Sequence, residues 1–487
     1  MNKTTLIDAA LLAIALDKTL RQPMFEQLAQ NLRQLILAKK IPAGAKIPSS
    51  RQLAGELSVS RVTIVTAFDQ LIAEGYLQGR RGAGVFVVND LPEEISQISV
   101  TEMPKSCPPQ MPPMLRPFQP TSPDMRLFPH KEWAKLFQRL WANPKDDLLA
   151  DIDVMGFWPL RQQIAEHLSQ WRGINCSPDQ IIITSGATEA MQMIAGALLT
   201  KSDVVGREDP GYGLFDQVFG RNGIKVQPLK VDQYGLTVEA LQNAPILPRC
   251  IITTPSRQYP LGFTMPLARR LQLLNWAAQS NSYIIEDDYD SEYRYTGQPL
   301  PALMSLEHQG DHARVIYMGS FSKVFSKSLR LGYLVAPIKI TQKLSMELAK
   351  TGPSAAFISQ PVLAAFMASG AFASHIRKMR RTYALRQKGF IAAANKHLNG
   401  LIVFEAAQGG MHLVGYPSKQ LSDTLSDVEV CALADQVGVT FLPLSKSFSS
   451  DEKMQGIIAG YAGFSLDEID NAFKRLGEHF RHLKHRR

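Results

Sequence analysis

The chain has 487 residues, is 45% hydrophobic and 20% charged, and carries a formal net charge of +9. Its length exceeds one ordinary domain, its composition is that of a soluble globular protein, and its charge permits a polyanionic partner. With no run of 18 apolar residues a membrane span is excluded, and the short apolar stretch 9–16 lacks the basic flank and cleavage site of a signal peptide. Cys107, Cys176, Cys250 and Cys431 form no CxxC pair. No metal site and no disulfide framework are therefore expected, and the chain suits a reducing cytoplasm.

Residues 22–90 parse as one unit, and residues 1–90 carry 11 Lys/Arg against 7 Asp/Glu. Phe25, Leu28, Ala29, Leu32 and Ile36 fall at helical spacing. Ser49 is placed to cap a second helix, with Gln52 completing a capping box, and Ser60 to cap a third whose Ile64, Ala67, Phe68 and Leu71 face inward. Two short strands then flank the tip Gly79-Arg80-Arg81-Gly82-Ala83-Gly84. Two helices and a basic hairpin make a winged helix-turn-helix. Ser60, Arg61 and Thr63 can offer donors to base edges in a major groove, while Arg80, Arg81 and Gly82 approach phosphates or a minor groove. A small helical dimerisation module with a solvated hairpin is the plainer alternative.

From Pro92 to Pro123 prolines are too dense for helix or sheet, and residues 91–120 read as a linker. Beyond it, apolar runs at 181–183, 250–252, 283–285 and 315–317 alternate with helical segments, as buried parallel strands of an α/β sheet would.

Four strings carry chemistry. In Gly319-Ser320-Phe321-Ser322-Lys323 a lysine follows a strand and a Ser-x-Ser turn. Such a lysine can form a Schiff base with an aldehyde cofactor, while the two hydroxyls and Arg330 hold a phosphate. Thr184 to Ala190 opens a helix with small residues and free N–H groups, a second phosphate cradle. In Glu286-Asp287-Asp288-Tyr289-Asp290 one carboxylate can bond a protonated pyridine nitrogen and the tyrosine a ring oxygen. Tyr212 sits on a tight turn where it could stack on a flat ring. Each string alone also has a bland reading, respectively a solvated loop, a capped helix, an acidic loop and a packed tyrosine.

Together they resemble the fold-type-I pyridoxal-phosphate enzymes. The string PSSRQLAGELSVSRVTIVTAFDQLIAEGYL (48–77) resembles the GntR winged helix. With LFPHKEW (127–133), TPSRQYPLG (254–262), IEDDYDSEYRY (285–295), SLRLGY (328–333) and SHIRKMRRTY (374–383), the whole chain resembles the MocR/GabR-type regulators, which join the two. The resemblance implies a winged helix-turn-helix over 22–90 and an aminotransferase fold over 121–487. The latter comprises a large, mostly parallel-sheet domain and a small C-terminal α+β domain. It implies pyridoxal 5'-phosphate on Lys323, with Asp287 at the pyridine nitrogen and Tyr289 at the ring oxygen. Ala187, Thr188, Ser320, Ser322 and Arg330 would hold the phosphate, with Tyr212 on the ring. It also implies operator DNA held through Ser49, Arg51, Ser60, Arg61, Thr63 and the wing, and a homodimer. The sequence departs from the family pattern at three places. Arg257 stands where a histidine is usual, Ala187-Thr188 where Ser-Gln is usual, and Ile458 where members that grip a carboxylate carry arginine. The expected function is a transcription regulator that senses an amino compound or pyridoxal phosphate, with little or no turnover. A working aminotransferase with a DNA-binding domain and a DNA-binding protein with a dead enzyme domain are the alternatives.

Overall fold

In the computed structural model the apolar stripes of the N-terminal segment close on one another. The structure describes residues 11, 14–17, 22–80, 83–91, 115–120, 122–144, 148, 153–298, 300–308, 310 and 312–484. Two compact units divide at Pro112/Pro113.

In the first unit α1 (Met24–Leu37), α2 (Ser50–Glu56) and α3 (Arg61–Ala73) precede the hairpin β1 (Leu77–Arg80) and β2 (Gly84–Val87). Leu28, Leu32, Ile36, Leu53, Ile64, Phe68 and Leu71 form its core, and Leu11 and Ile14, ahead of the expected start at Gln22, join it. The Ser49 and Ser60 hydroxyls accept from the Gln52 and Thr63 amides and so cap α2 and α3. The capping box at α2 is only half formed, because the Gln52 side chain runs forward to Glu56 Oε1 at 2.9 Å. Arg81 and Gly82, like residues 92–114 of the expected linker, lie outside the described residues.

The second unit is built on an eight-stranded sheet in the order β3-β10-β9-β8-β7-β4-β5-β6. Its strands are β3 (Ile181–Thr184), β4 (Val204–Asp209), β5 (Lys225–Asp232), β6 (Gly235–Leu236), β7 (Cys250–Thr253), β8 (Tyr283–Asp288), β9 (Val315–Ser320) and β10 (Gly332–Val335). The run β9-β8-β7-β4-β5 is parallel. The strand at 181–183 differs from expectation, since its one strand neighbour among the described residues is the antiparallel β10. An apolar run shows burial on both faces but not strand direction, so sequence cannot tell the two cases apart.

Side chains alternate between the sheet's faces. Ile251, Ile284, Val315 and Tyr317 enter one core, which includes residues of α4 (Trp158–Arg172). Ile252, Ile285, Ile316 and Met318 enter another, which includes residues of α5 (Ala187–Leu198), α6 (Leu214–Arg221) and α7 (Ile338–Thr351). The C-terminal part is an antiparallel sheet in the order β11-β12-β14-β13, comprising β11 (Ile402–Phe404), β12 (His412–Pro417), β13 (Leu442–Pro443) and β14 (Ile457–Gly460). The helices α8 (Ala371–Leu398) and α9 (Leu466–Lys484) contribute to its core. Residues 115–120, read from sequence as the end of a linker, belong to this unit. Phe118 is fully buried there, and its carbonyl accepts from Gly460 N–H at 2.8 Å.

Candidate functional site

In parallel α/β sheets ligands gather at the carboxyl ends of the strands, where loops and helix N-termini converge. Here the ends of β8 and β9 and the N-terminus of α5 surround a cavity of about 300 Å³. Asp287, Tyr289, Ala187, Thr188, Ser320, Ser322, Lys323, Arg330 and Tyr212 all line it. The nine positions singled out from sequence, up to 143 residues apart, thus meet in one place.

The run of acids on β8 is sorted by the pleat. Glu286 accepts from the Leu303 and Met304 amides at 3.0 and 3.1 Å. Asp288 takes the Tyr317 hydroxyl at 2.7 Å and lies 2.8 Å from Arg172 Nε. Both face the core that holds Leu303 and Tyr317. Asp287, between them, faces the cavity. Burial pushes its pKa up to about 7, helped by the Asp288 and Glu208 carboxylates and opposed by Lys323. Burial and the nearby Lys327 ammonium draw Lys323 down to about 8, toward the neutral amine that attacks an aldehyde.

At the other end, Gly186 has φ +129° and precedes α5. The Ala187 and Thr188 amides meet no acceptor among the described residues, and the helix dipole favours an anion there. Ser320 accepts from Ser322 N–H at 3.2 Å and keeps its own proton to donate. Arg330, at φ +50°, is exposed on the rim. A half-buried carboxylate, an amine of lowered basicity and an anion cradle on one cavity fit the ring nitrogen, aldehyde and phosphate of pyridoxal 5'-phosphate.

Tyr289 Oη accepts from Arg257 Nη1 at 3.0 Å. Burial and the Asp290 carboxylate hold the Tyr289 hydroxyl well above its ordinary pKa, so its proton remains available to the cavity. Arg257 also donates to the His412 carbonyl at 2.7 Å, and a Cβ at Gly410 would overlap its guanidinium. Arg207 is held by Asp216 at 2.7 Å and Ser449 at 2.6 Å. Neither arginine lines the cavity, and Ile458 does not either. Ile458 is buried on β14 opposite Val414, on the sheet face that also carries His412.

Tyr259 and Lys327 are among the lining residues not singled out from sequence. Tyr259 stands edge-on to both Tyr212 and Tyr289, with centroids 5.6 and 5.8 Å away. It lay within the matching string 254–262, whose aromatic position was the available signal. Lys327, exposed but with its pKa lowered by partial desolvation, donates to Ser122 Oγ at 3.3 Å. Nothing in the sequence marked it beyond its place four residues after Lys323.

On the first unit Ser49, Arg51, Ser60, Arg61 and Arg80 are exposed and Thr63 is half-buried. Arg61 Nε donates to Ser50 Oγ at 3.3 Å, and the Arg80 guanidinium lies 4.7 Å from the Phe86 ring centroid.

Comparison with known proteins finds a family for each of the two units. Residues 121–476 match the aminotransferase class I and II family, and residues 25–87 match the gntR family of bacterial regulatory proteins. The chain is 36% identical to the probable rhizopine catabolism regulatory protein MocR of Rhizobium meliloti, over 96% of each chain. It is 32% identical to the pyridoxine biosynthesis regulator PdxR of Corynebacterium glutamicum, over 91% of this chain and 93% of that one. Among solved structures, the α-aminoadipate aminotransferase LysN of Thermus thermophilus, complexed with N-(5'-phosphopyridoxyl)-L-leucine, superposes with a TM-score of 0.68. It is 25% identical and covers 76% of this chain and 93% of its own. Fold and matches together define a DNA-binding transcription regulator with an aminotransferase-like domain for pyridoxal 5'-phosphate. The chain belongs to the aminotransferase class I and II family and, within it, to the MocR-type regulators.

Proposed function

We propose that the cavity around Lys323 reports an effector to the winged helix rather than turning over a substrate. The cofactor supplies an electrophilic aldehyde and, with its nitrogen protonated, an electron-withdrawing ring. Lys323 would bind the aldehyde, Asp287 hold the nitrogen's proton, and Tyr289 donate to the ring oxygen. The Ala187 and Thr188 amides, Ser320, Ser322 and Arg330 would hold the phosphate, with Tyr212 against the ring. The DNA face would comprise Ser49, Arg51, Ser60, Arg61, Thr63, Arg80, Arg81 and Gly82.

The observation that carries the sensing reading is the set of cations on the cavity wall. Transamination needs the substrate carboxylate held so that its α-hydrogen stands across the ring, and a bidentate arginine does this well. Among the described lining residues the only arginine is Arg330, assigned to the phosphate, while Arg207 is paired with Asp216 and Arg257 lies behind the wall, bonded to Tyr289 and the His412 carbonyl. The effector class is an amino compound or pyridoxal phosphate itself, and the regulated pathway one of amino-acid, amine or vitamin B6 metabolism. The similarity to MocR, a probable regulator of rhizopine catabolism, and to PdxR, a regulator of pyridoxine biosynthesis, supports that range. A cytoplasmic homodimer completes the reading. Tyr212 is 43% exposed, so a single chain leaves the cavity rim open for a second copy.

A working aminotransferase is the second reading, and Lys327 favours it, because it lines the cavity as a further cation able to meet a carboxylate once released from Ser122. Operator binding titrated with candidate amines, amino acids and pyridoxal phosphate, beside a turnover assay on the same protein, decides between them. An effector-dependent change in DNA affinity without turnover supports sensing, and turnover without such a change overturns it.

A further inference from the structure

The outward face of α3 carries less polar chemistry than its sequence suggests. Ser60 and Thr63 engage each other, the Ser60 hydroxyl accepting from Thr63 N–H at 3.1 Å with the two hydroxyls 2.8 Å apart. Arg61 is turned back to Ser50 by its Nε. Between these residues Val62 is 73% exposed, and Val65, one turn further on, is 39% exposed. Residues three apart share a stripe on a helix surface. Ile64, Ala67, Phe68 and Leu71 already fill the inward face. An exposed β-branched side chain in a helix loses rotamer freedom and gains no burial, so stability of the fold does not account for the pair.

The surroundings indicate what covers the stripe. Arg61, next to Val62 in the chain, is exposed and bonded to Ser50 ahead of the exposed Arg51, and further along the same face Asp69 is exposed. Cations at the N-terminal end suit phosphates, while a carboxylate two turns on would be repelled by them, so the first turns are the part suited to enter a groove. Inside a major groove most base-edge groups are hydrogen-bond donors or acceptors, which lose water without return against a valine. The apolar exception is the C5-methyl of thymine.

We propose that Val62, supported by Val65, determines sequence specificity by packing on thymine methyl groups in the operator. The winged helix therefore selects thymine, through apolar contact, at the base steps facing the first turn of α3.

The test uses the full-length, cofactor-loaded protein and a duplex selected by it from random-sequence DNA. Each thymine is replaced in turn by deoxyuridine, which pairs identically and lacks only the methyl. Binding should weaken about fourfold at each thymine facing Val62 or Val65, the worth of burying roughly one methyl group. In Val62→Ser the thymine and deoxyuridine duplexes should bind alike at the Val62 step, with the salt dependence of affinity unchanged, since no phosphate contact is lost. Val62→Ile should keep the discrimination, which separates lost contact from misfolding. The inference is overturned if no deoxyuridine replacement weakens the parent protein, or if Val62→Ser keeps the same penalties. It also fails if Val62→Ser leaves DNA binding intact and instead disrupts association between copies, which would make the stripe a protein-docking surface.

Discussion

At the scale of the residue, the cavity lining brings one carboxylate, Asp287, together with the cations Lys323, Lys327 and Arg330. Lys323→Ala should abolish both the visible absorption of lysine-bound cofactor and the adduct trapped by borohydride. A band that persists unchanged would reject the assignment, and peptide mapping would show whether Lys327 has taken its place. Asp287 yields a pH prediction. Its folded pKa, about 7, lies above the ordinary 3.8, so folding favours its protonated form. That contribution is complete at low pH and lost as pH rises through 7. Cofactor-free protein should therefore lose stability relative to Asp287→Asn between about pH 4 and 8. The limit is about 4 kcal/mol, reduced by solvent entering the cavity. Denaturant midpoints across that range check it, and parallel curves would show that Asp287 is not penalised by its neighbours. In loaded protein a protonated nitrogen beside Asp287 should shrink the difference. These residues were legible from sequence because each sat in a string with its own turn or strand signature. Lys327 and Tyr259 were not, because their relevance depends on chain segments brought together only by the fold.

At the scale of the element, the two parts of the winged helix should fail differently. On the proposed DNA face Arg61, at the start of α3, reads base edges, so Arg61→Ala should cost roughly 1–3 kcal/mol and relax preference for the operator over random DNA. Arg80 lies on the hairpin, and its loss should weaken binding to every sequence and lower the salt slope by about one unit. Competition binding at several salt concentrations separates the two; an unaltered operator preference removes Arg61 from readout. The caps of α2 and α3 were readable because Ser49 and Ser60 precede apolar periodicity. The path of the Gln52 side chain was not, because Glu56 offers a partner that the capping-box pattern ignores. The direction of β3 was hidden for a related reason, since burial is a property of the residue and pairing a property of the neighbours.

At the scale of the whole molecule, the fold is one that holds pyridoxal 5'-phosphate, and among the described residues Arg330 is the only arginine lining the cavity. A steady-state assay across common amino donors with 2-oxoglutarate or pyruvate should give turnover well below about 1 per second, the usual lower range of enzymes. A faster rate would promote the catalytic reading and turn attention to Lys327. The two-unit plan was visible in the change from helical periodicity to alternating strands. Its boundary was set too late, because proline density marks where regular structure stops and not where packing begins. Phe118 sits among prolines and is nonetheless buried beside Phe390, Phe441, Phe464 and Phe473.

The alternation of faces along β8 has one more effect. Three acids in succession look like insurance, as though losing one would leave two in reserve. Consecutive residues on a strand are only about 3.8 Å apart at Cα, yet their side chains stand on opposite sides of a wall. Glu286 and Asp288 are walled off from the cavity and occupied by the Leu303 and Met304 amides, Tyr317 and Arg172. The site therefore has no spare part. A change at Asp287 cannot be made good by its neighbours, and moving the acid one place along the chain would deliver it to the wrong room.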